Sequence, residues 1–302
     1  MEKQTVYIRL SKIIAACKTV SSVCTVAITL AMVFSLTGCV KDELYDTPHP
    51  DKGAIVVQID WGDLLPEAIA DSYILNVDGY EQTASGTTNT VERLAEPGEH
   101  TLMVYNCPDG ISINGDIASV NEFISGRAVG SRIMPQPGYL LSMSQTIHVE
   151  KDDTLHITAK PHQWVRQLDM ELSVTEGDYD RIAAVTGTLS GVERSVDIRK
   201  GERQGTAAFV RSTFTVKGDK CRISFRLIGI VPAERQMLTV DINFSNGDTQ
   251  SIVSDLSEQM ARFHDSNAPL TLTGSLRLPV ESGVAGTIEG WQIADGGNTD
   301  AH

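Results

Sequence analysis

An all-β chain with two β-sandwiches in tandem is the fold class that this sequence predicts. Three observations lead to it. Apolar and polar residues alternate at period two through most of the chain, the mark of half-buried strands. Turn-forming pairs such as Asp78-Gly79, Gly218-Asp219 and Asn246-Gly247 separate these stretches at short intervals. Helical periodicity is nearly absent, with Leu256–Phe263 the one short exception. The 302 residues are 41% apolar, 6% aromatic and 21% charged, as in an ordinary folded protein. At about 150 residues per domain that length holds two domains.

Residues 1–18 carry Lys3, Arg9, Lys12 and Lys18, and Thr19–Val40 is uncharged and strongly apolar. A stretch of about 20 apolar residues can cross a bilayer, so an uncleaved membrane anchor is one reading. Against it stands Gly38-Cys39 at the far edge, where a signal peptide places small residues before its cut. Leu36-Thr37-Gly38-Cys39 resembles the lipobox of bacterial lipoproteins. That resemblance implies a signal peptide over 1–38, cleavage between Gly38 and Cys39, and a diacylglyceryl group with palmitate-type chains on Cys39. Each buried methylene contributes about 0.8 kcal/mol, so several chains on one cysteine would anchor it to outer-membrane lipid almost permanently. Lys41-Asp42-Glu43 resembles the short export signal that follows the lipidated cysteine in surface-exposed lipoproteins of Bacteroidetes. The remainder of 39–53 holds two prolines and no periodicity and reads as a tether. About a dozen extended residues reach roughly 40 Å.

Globular sequence starts at Ala54. Ile55, Val57, Ile59 and Trp61 alternate as a strand, Tyr73, Leu75 and Val77 as a second that turns at Asp78-Gly79, and Leu102 and Val104 as a third. Residues 107–145 are rich in glycine and proline and are expected to be loops with one or two edge strands. Ile147 and Val149 are expected to pair with Leu155 and Ile157 across Lys151-Asp152-Asp153, and Pro161-His162 marks a boundary. This places one sandwich at 54–160 and a second at 161–280, before a Gly-rich acidic tail at 281–302.

In the second part Trp164, Arg166, Leu168, Met170, Leu172 and Val174 alternate up to Glu176-Gly177-Asp178, where a helical turn can follow. Val185 and Leu189 mark a weaker strand, and Val196 and Ile198 a short one. Phe209–Val216 and Cys221–Ile230 read as a long hairpin about Gly218-Asp219. Leu238–Phe244 meets the Asn246-Gly247 turn, a pair suited to positive φ at both positions, and Ile252 and Val253 lie beyond it. Leu256–Phe263 reads as a helix capped by Ser254 or Asp255, Leu270–Leu278 as a strand, and Thr287–Ile293 as a further strand around Trp291.

The net charge is −14. Loss of residues 1–38 removes four basic residues and one acid, leaving 21 against 38, or −17. Such a surface repels phosphate backbones and argues against nucleic acid as a partner. After cleavage only Cys107 and Cys221 remain in the folded part, so buried apolar cores rather than disulfides must hold it. Cys221 lies in phase with Ile223, Phe225 and Leu227, as a small apolar side chain would.

No glycine loop for nucleotides, no nucleophile elbow, no His-Glu-x-x-His and no paired-cysteine metal spacing occurs, so neither a cofactor nor an enzymatic activity is expected. His148 and His156 would face one another in a hairpin centred on Asp152, but two imidazoles fall short of the three or four ligands that zinc takes. Asp178-Tyr179-Asp180 and Asn246-Gly247-Asp248 offer oxygens without the spacing of a calcium loop. Trp61 and Trp164 share the apolar phase of their strands, which leaves Trp291 as the tryptophan that can contact a glycan.

Gln163-x-x-Arg166-x-Leu168, Gly177-Asp178 and Leu189-Ser190-Gly191-Val192, preceded by Pro135-x-Pro137-Gly138-Tyr139-Leu140, resemble the FimB-like lipoprotein anchor and minor subunits of Bacteroidetes type V fimbriae. The resemblance implies two transthyretin-like Greek-key sandwiches held at the outer membrane, with a role at the base or the tip of a fimbrium. It implies no catalysis. Binding of other fimbrial subunits by β-strand addition at a sheet edge of the second domain is compatible with it. The rival reading is a surface glycan-binding lipoprotein of a carbohydrate-uptake system, with Trp291 as its contact. A secreted hydrolase ranks third.

Overall fold

The computed structural model describes residues 51–123, 131–279 and 286–294. The architecture is all-β, multi-sheet and sandwich-like, with little helix. In chain order, β1 (Ala54–Ile59) buries Ile55, Val57 and Ile59. β2 (Tyr73–Val77) and β3 (Tyr80–Ala84) form the expected hairpin. Asp78 and Gly79 have φ of 49° and 88°, the left-handed pair of a tight two-residue turn. β4 (Thr88–Thr90) lies antiparallel to β1, and β5 (Gly98–Tyr105) antiparallel to β2.

Between residues 107 and 145 the chain is more regular than its glycines and prolines predict. β6 (Ile111–Asn114) and β7 (Ile117–Val120) close a hairpin at Gly115, whose φ is 60°. β8 (Arg132–Ile133) is a short edge, and β9 (Leu141–Val149) runs antiparallel to β5. Four-residue strands between glycines carry too little alternation to stand out in the sequence.

The expected hairpin across Lys151-Asp152-Asp153 is corrected. β10 (Thr154–Ala159) pairs parallel with β1, from Ala54 opposite Thr154 to Ile59 opposite Ala159. Three residues suffice either to fold back on the same sheet or to cross to the facing one, and alternation is the same in both cases. Crossing gives β1 a full-length partner, while β9 takes β11 (His162–Gln163) on its outer side.

β12 (Arg166–Glu176) is the long regular strand foreseen. A single 3-10 turn at Tyr179–Arg181 follows, with the Asp178 carboxylate accepting from the Asp180 N–H at 3.0 Å. β13 (Ile182–Glu193) is 12 residues long, and not the weak strand that its glycines implied. β14 (Ser195–Asp197) pairs with β7 and with β15 (Glu202–Arg203).

The long hairpin about Gly218 is a second correction. β16 (Ala207–Thr213) pairs with β13, whereas β17 (Thr215–Lys217) pairs with β18 (Lys220–Leu227) in the other sheet. Phe214 is the pivot. It is 4% exposed, its N–H donates to the Val185 carbonyl at 2.8 Å, and its ring lies where a Cβ on Gly187 would be 2.7 Å away. A glycine in the middle of β13 thus makes room for the corner of another strand.

β19 (Met237–Phe244) and β20 (Thr249–Asp255) pair antiparallel as expected. Of Asn246 and Gly247 only Gly247 has positive φ, 90°, because the longer loop needs one left-handed residue and not two. The expected helix is shorter, α1 (Ser257–Met260), with Leu256 at its N-cap position and Asp255 accepting from the Ser257 N–H at 3.0 Å. Its spacing still serves to bury Leu256, Met260 and Phe263. β21 (Leu270–Arg277) lies parallel to β12, and β22 (Thr287–Ile293) borders it.

Two cores result. Ile55, Val57, Leu75, Leu102, Val104 and Val149 make the first, between the sheets β10-β1-β4 and β11-β9-β5-β2-β3. The second is larger and is built on the inner faces of β17-β18-β12-β21-β22 and β20-β19-β13-β16-β8. Ile111, Ala118, Val120, Ile133 and Leu140 belong to this second core, although they precede residue 160 in the chain. A small sheet, β15-β14-β7-β6, joins that early hairpin to the later strands.

Candidate functional site

The predicted anchor residues Gly38, Cys39, Lys41, Asp42 and Glu43 lie outside the described residues, as does the end of the tail. The described chain begins at Asp51, and its first residues are tightly held. Lys52 pairs with Glu96 at 2.7 Å, Asp51 pairs with Lys151, and Gly53 bridges to Ala95 through two backbone hydrogen bonds of 2.9 Å. A Cβ on Gly53 would come within 2.4 Å of the Glu150 carbonyl oxygen, so the chain can pass here only as glycine. It then runs directly into β1, between β10 and β4.

The ligand candidates scatter. His148 lies opposite Glu99 in β5, and its Nε2 is 3.1 Å from Glu150, whereas His156 lies opposite Val56 in the facing sheet. The two imidazoles do not share a face. Among the described residues no group of three His, Cys, Asp or Glu is placed to hold a metal ion. The oxygens of Asp178 and Asn246 are used within their own turns. Cys107 is exposed and Cys221 buried, and both are free thiols. Burial pushes the Cys221 thiol up to about 11, which leaves it inert as a nucleophile. Trp61 lies just beyond β1, edge-on to Tyr73 at 5.7 Å, and Trp164 is buried, as their apolar phase predicts. Trp291 is half-buried on β22. Its ring lies over Gly274, where a Cβ would be 3.1 Å away, and its Nε1 is buried without a hydrogen-bond partner.

In the larger pair of sheets the edge strands differ. β17 is three residues long and ends in Lys217, which blunts it. β22 is bulged, with Gly290 at φ 67° and a register shift against β21. β8 covers only Phe209 and Val210 of β16. β20 is different. Its seven residues, Thr-Gln-Ser-Ile-Val-Ser-Asp, pair with β19 without a break and include no lysine, proline or glycine, and Val253 on it is 58% exposed. Its one charged residue is Asp255 at the end, and long unbroken edges of this kind are the ones open to pairing with another strand.

Solved structures of similar fold exist. A candidate adhesin from Bacteroides ovatus superposes with a TM-score of 0.57 at 14% identity, covering 84% of this chain and 97% of its own. The fimbrial anchor protein Mfa2 from Porphyromonas gingivalis gives 0.55 at 11%, covering 80% and 97%. A candidate polysaccharide-binding protein from Bacteroides thetaiotaomicron gives 0.51 at 11%, covering 81% and 98%. This chain has their fold. At such identities the likeness is one of fold. No model of a sequence family and no curated protein matches the chain. The structures that share the fold are described as adhesin, anchor or binding proteins.

Proposed function

We propose that this chain is a lipid-anchored, surface-exposed outer-membrane protein that anchors or terminates a type V fimbrium. The observation that carries the reading is a fold shared with a fimbrial anchor over nearly the whole of that protein, on a chain whose own sequence holds Leu36-Thr37-Gly38-Cys39. In this reading Cys39 carries the lipid, Lys41-Asp42-Glu43 direct export, and residues 54–160 and 161–280 are two transthyretin-like Greek-key sandwiches. The first sandwich takes the load from the tether through β1. The second accepts a strand from a fimbrial subunit at β20.

The test is Cys39→Ala, or deletion of the protein, in the host bacterium. Labelled palmitate is then expected to leave the protein, and fibres to be lost from cells or shed into the medium. Unchanged fibres on the deletion strain would overturn the fimbrial reading. The alternative, a surface glycan-binding lipoprotein, draws on the polysaccharide-binding description of one structure with this fold. It requires Trp291→Ala to abolish binding on a glycan array, which the packing of that ring against Gly274 disfavours.

A further inference from the structure

Two arginines meet inside this acidic protein without an acid between them. Arg166, the first residue of β12, is only 5% exposed, and Arg203 of β15 is half-buried beside it. Arg166 Nη1 lies 3.2 Å and Arg203 Nη2 2.9 Å from one atom, Nδ1 of His264. Their other hydrogen bonds go to neutral oxygens, Arg166 Nε to Asn267 at 3.3 Å and Arg203 Nε to the Ile228 carbonyl at 3.4 Å. Neither guanidinium is part of an ion pair among the described residues. The other cations of the same cleft are paired, Lys160 with Asp60 at 2.9 Å, Arg199 with Asp116 at 2.7 Å and Lys200 with Asp197 at 3.6 Å.

The nearest acids are engaged elsewhere. Glu193 accepts from the backbone N–H groups of Arg194, Ser195, Gly205 and Thr206 at 2.9–3.3 Å, and Asp265 is 3.4 Å from Arg262. Burial, followed by the repulsion of Arg203, pulls Arg166 below its ordinary range, and burial does the same to Arg203. Burial and both arginines draw His264 down to about 4, so its ring is neutral and has a single acceptor nitrogen. Three donors face that ring, because the Ile230 N–H points at Nε2 from 3.4 Å. The cleft therefore has donors and positive charge in excess of the neutral acceptors that meet them. A buried and a half-buried like charge side by side are costly unless an anion compensates them.

The cleft also has the dimensions of a ligand site. It is an open cleft of about 490 Å³, within the range of pockets for small molecules. Its wall includes the Trp164 ring, which is fixed by Nε1–H donating to the Ser142 hydroxyl at 2.7 Å and flanked edge-on by His162 at 4.6 Å. We propose that this cleft binds the oxyanion group of a small molecule, a carboxylate, sulfate or phosphate held by the free N–H groups of Arg166 and Arg203. Paired guanidinium donors match such planar or tetrahedral oxygens. The net charge of −14 on the whole chain selects against polyanions and favours one isolated anionic group. The inference is independent of the fimbrial reading.

The test is a thermal-shift and calorimetric titration of the full chain with sodium sulfate, sodium phosphate and sodium glucuronate. Sodium chloride at equal ionic strength and neutral glucose serve as controls. At least one oxyanion is expected to raise Tm saturably beyond chloride. Binding should weaken at least tenfold in Arg203→Gln and partly recover in Arg203→Lys. Arg203 is chosen because it is more exposed than Arg166, and the melting curve of the unliganded variant reports whether it folds. A response to sulfate or phosphate alone identifies a sulfuryl or phosphoryl group as ligand, and a response to glucuronate an acidic sugar. The bound anion should also raise the titration midpoint of the His264 imidazole from about 4, as followed by NMR. No saturable effect of any of the three, or an effect unchanged in Arg203→Gln, overturns the proposal.

Discussion

His100 and His264 carry opposite linkages between folding and protons. His100 bonds the Glu96 carbonyl and the Asp78 carboxylate, each at 2.6 Å, and these two bonds raise its pKa. It therefore contributes stability in full below its unfolded pKa of about 6.5, and loses it as pH rises through the folded value. His264 is lowered to about 4 by burial and by Arg203 and Arg166, with His162 adding to the effect and Asp265 opposing it. Between about 6.5 and 4 the unfolded chain binds a proton there that the folded chain refuses, so stability falls as pH falls through that window. Thermal melts across pH should show both limbs. His264→Gln is expected to flatten the acid limb and His100→Gln the neutral one, and unchanged curves would contradict the assignments. The sequence already showed that Arg166 shares the apolar phase of Trp164, Leu168 and Met170, which is unusual for an arginine. It did not show why, because His264 and Arg203 come from distant parts of the chain.

Single strands were legible because alternation is written in neighbouring residues, and so were the turns at Asp78-Gly79 and Gly177-Asp178. Partner choice was not. β10 follows a short turn that reads like a hairpin yet crosses to the facing sheet beside β1, and Phe209–Val216, which reads as one strand, crosses at Phe214 from the sheet of β16 to that of β17. Phe214→Ala would empty the corner over Gly187, and a loss of about 3–5 kcal/mol in urea unfolding is expected. A loss under 1 kcal/mol would mean that the corner is not held by this ring. On the outer side of β20, Val253→Lys places a charge on the unguarded edge without touching the core. Its Tm is expected to match the parent protein while crosslinking to a fimbrial subunit drops sharply. Crosslinks confined to residues 54–160 would exclude β20 as the receiving edge.

At the scale of the molecule, the described chain enters at Asp51 and Gly53 and continues into a strand held on both sides, β1 between β10 and β4. The larger core includes Ile111, Ala118, Val120 and Ile133, so the early hairpin β6–β7 supports the later sheets. The sequence alone determined the all-β class, the positions of most strands, the burial of Trp164 and Cys221, and the Leu36–Cys39 pattern. All of these depend on residues within about ten positions of one another, where period and turn chemistry act directly. Only the tertiary structure decided that β1 pairs with β10, that His148 and His156 lie on different sheets, that Trp291 packs on Gly274, and that Arg166 and Arg203 converge on His264. Those contacts join residues far apart in the chain, and the alternation of each strand is satisfied equally by several partners. What selects one is the joint filling of the two cores, which no single segment encodes.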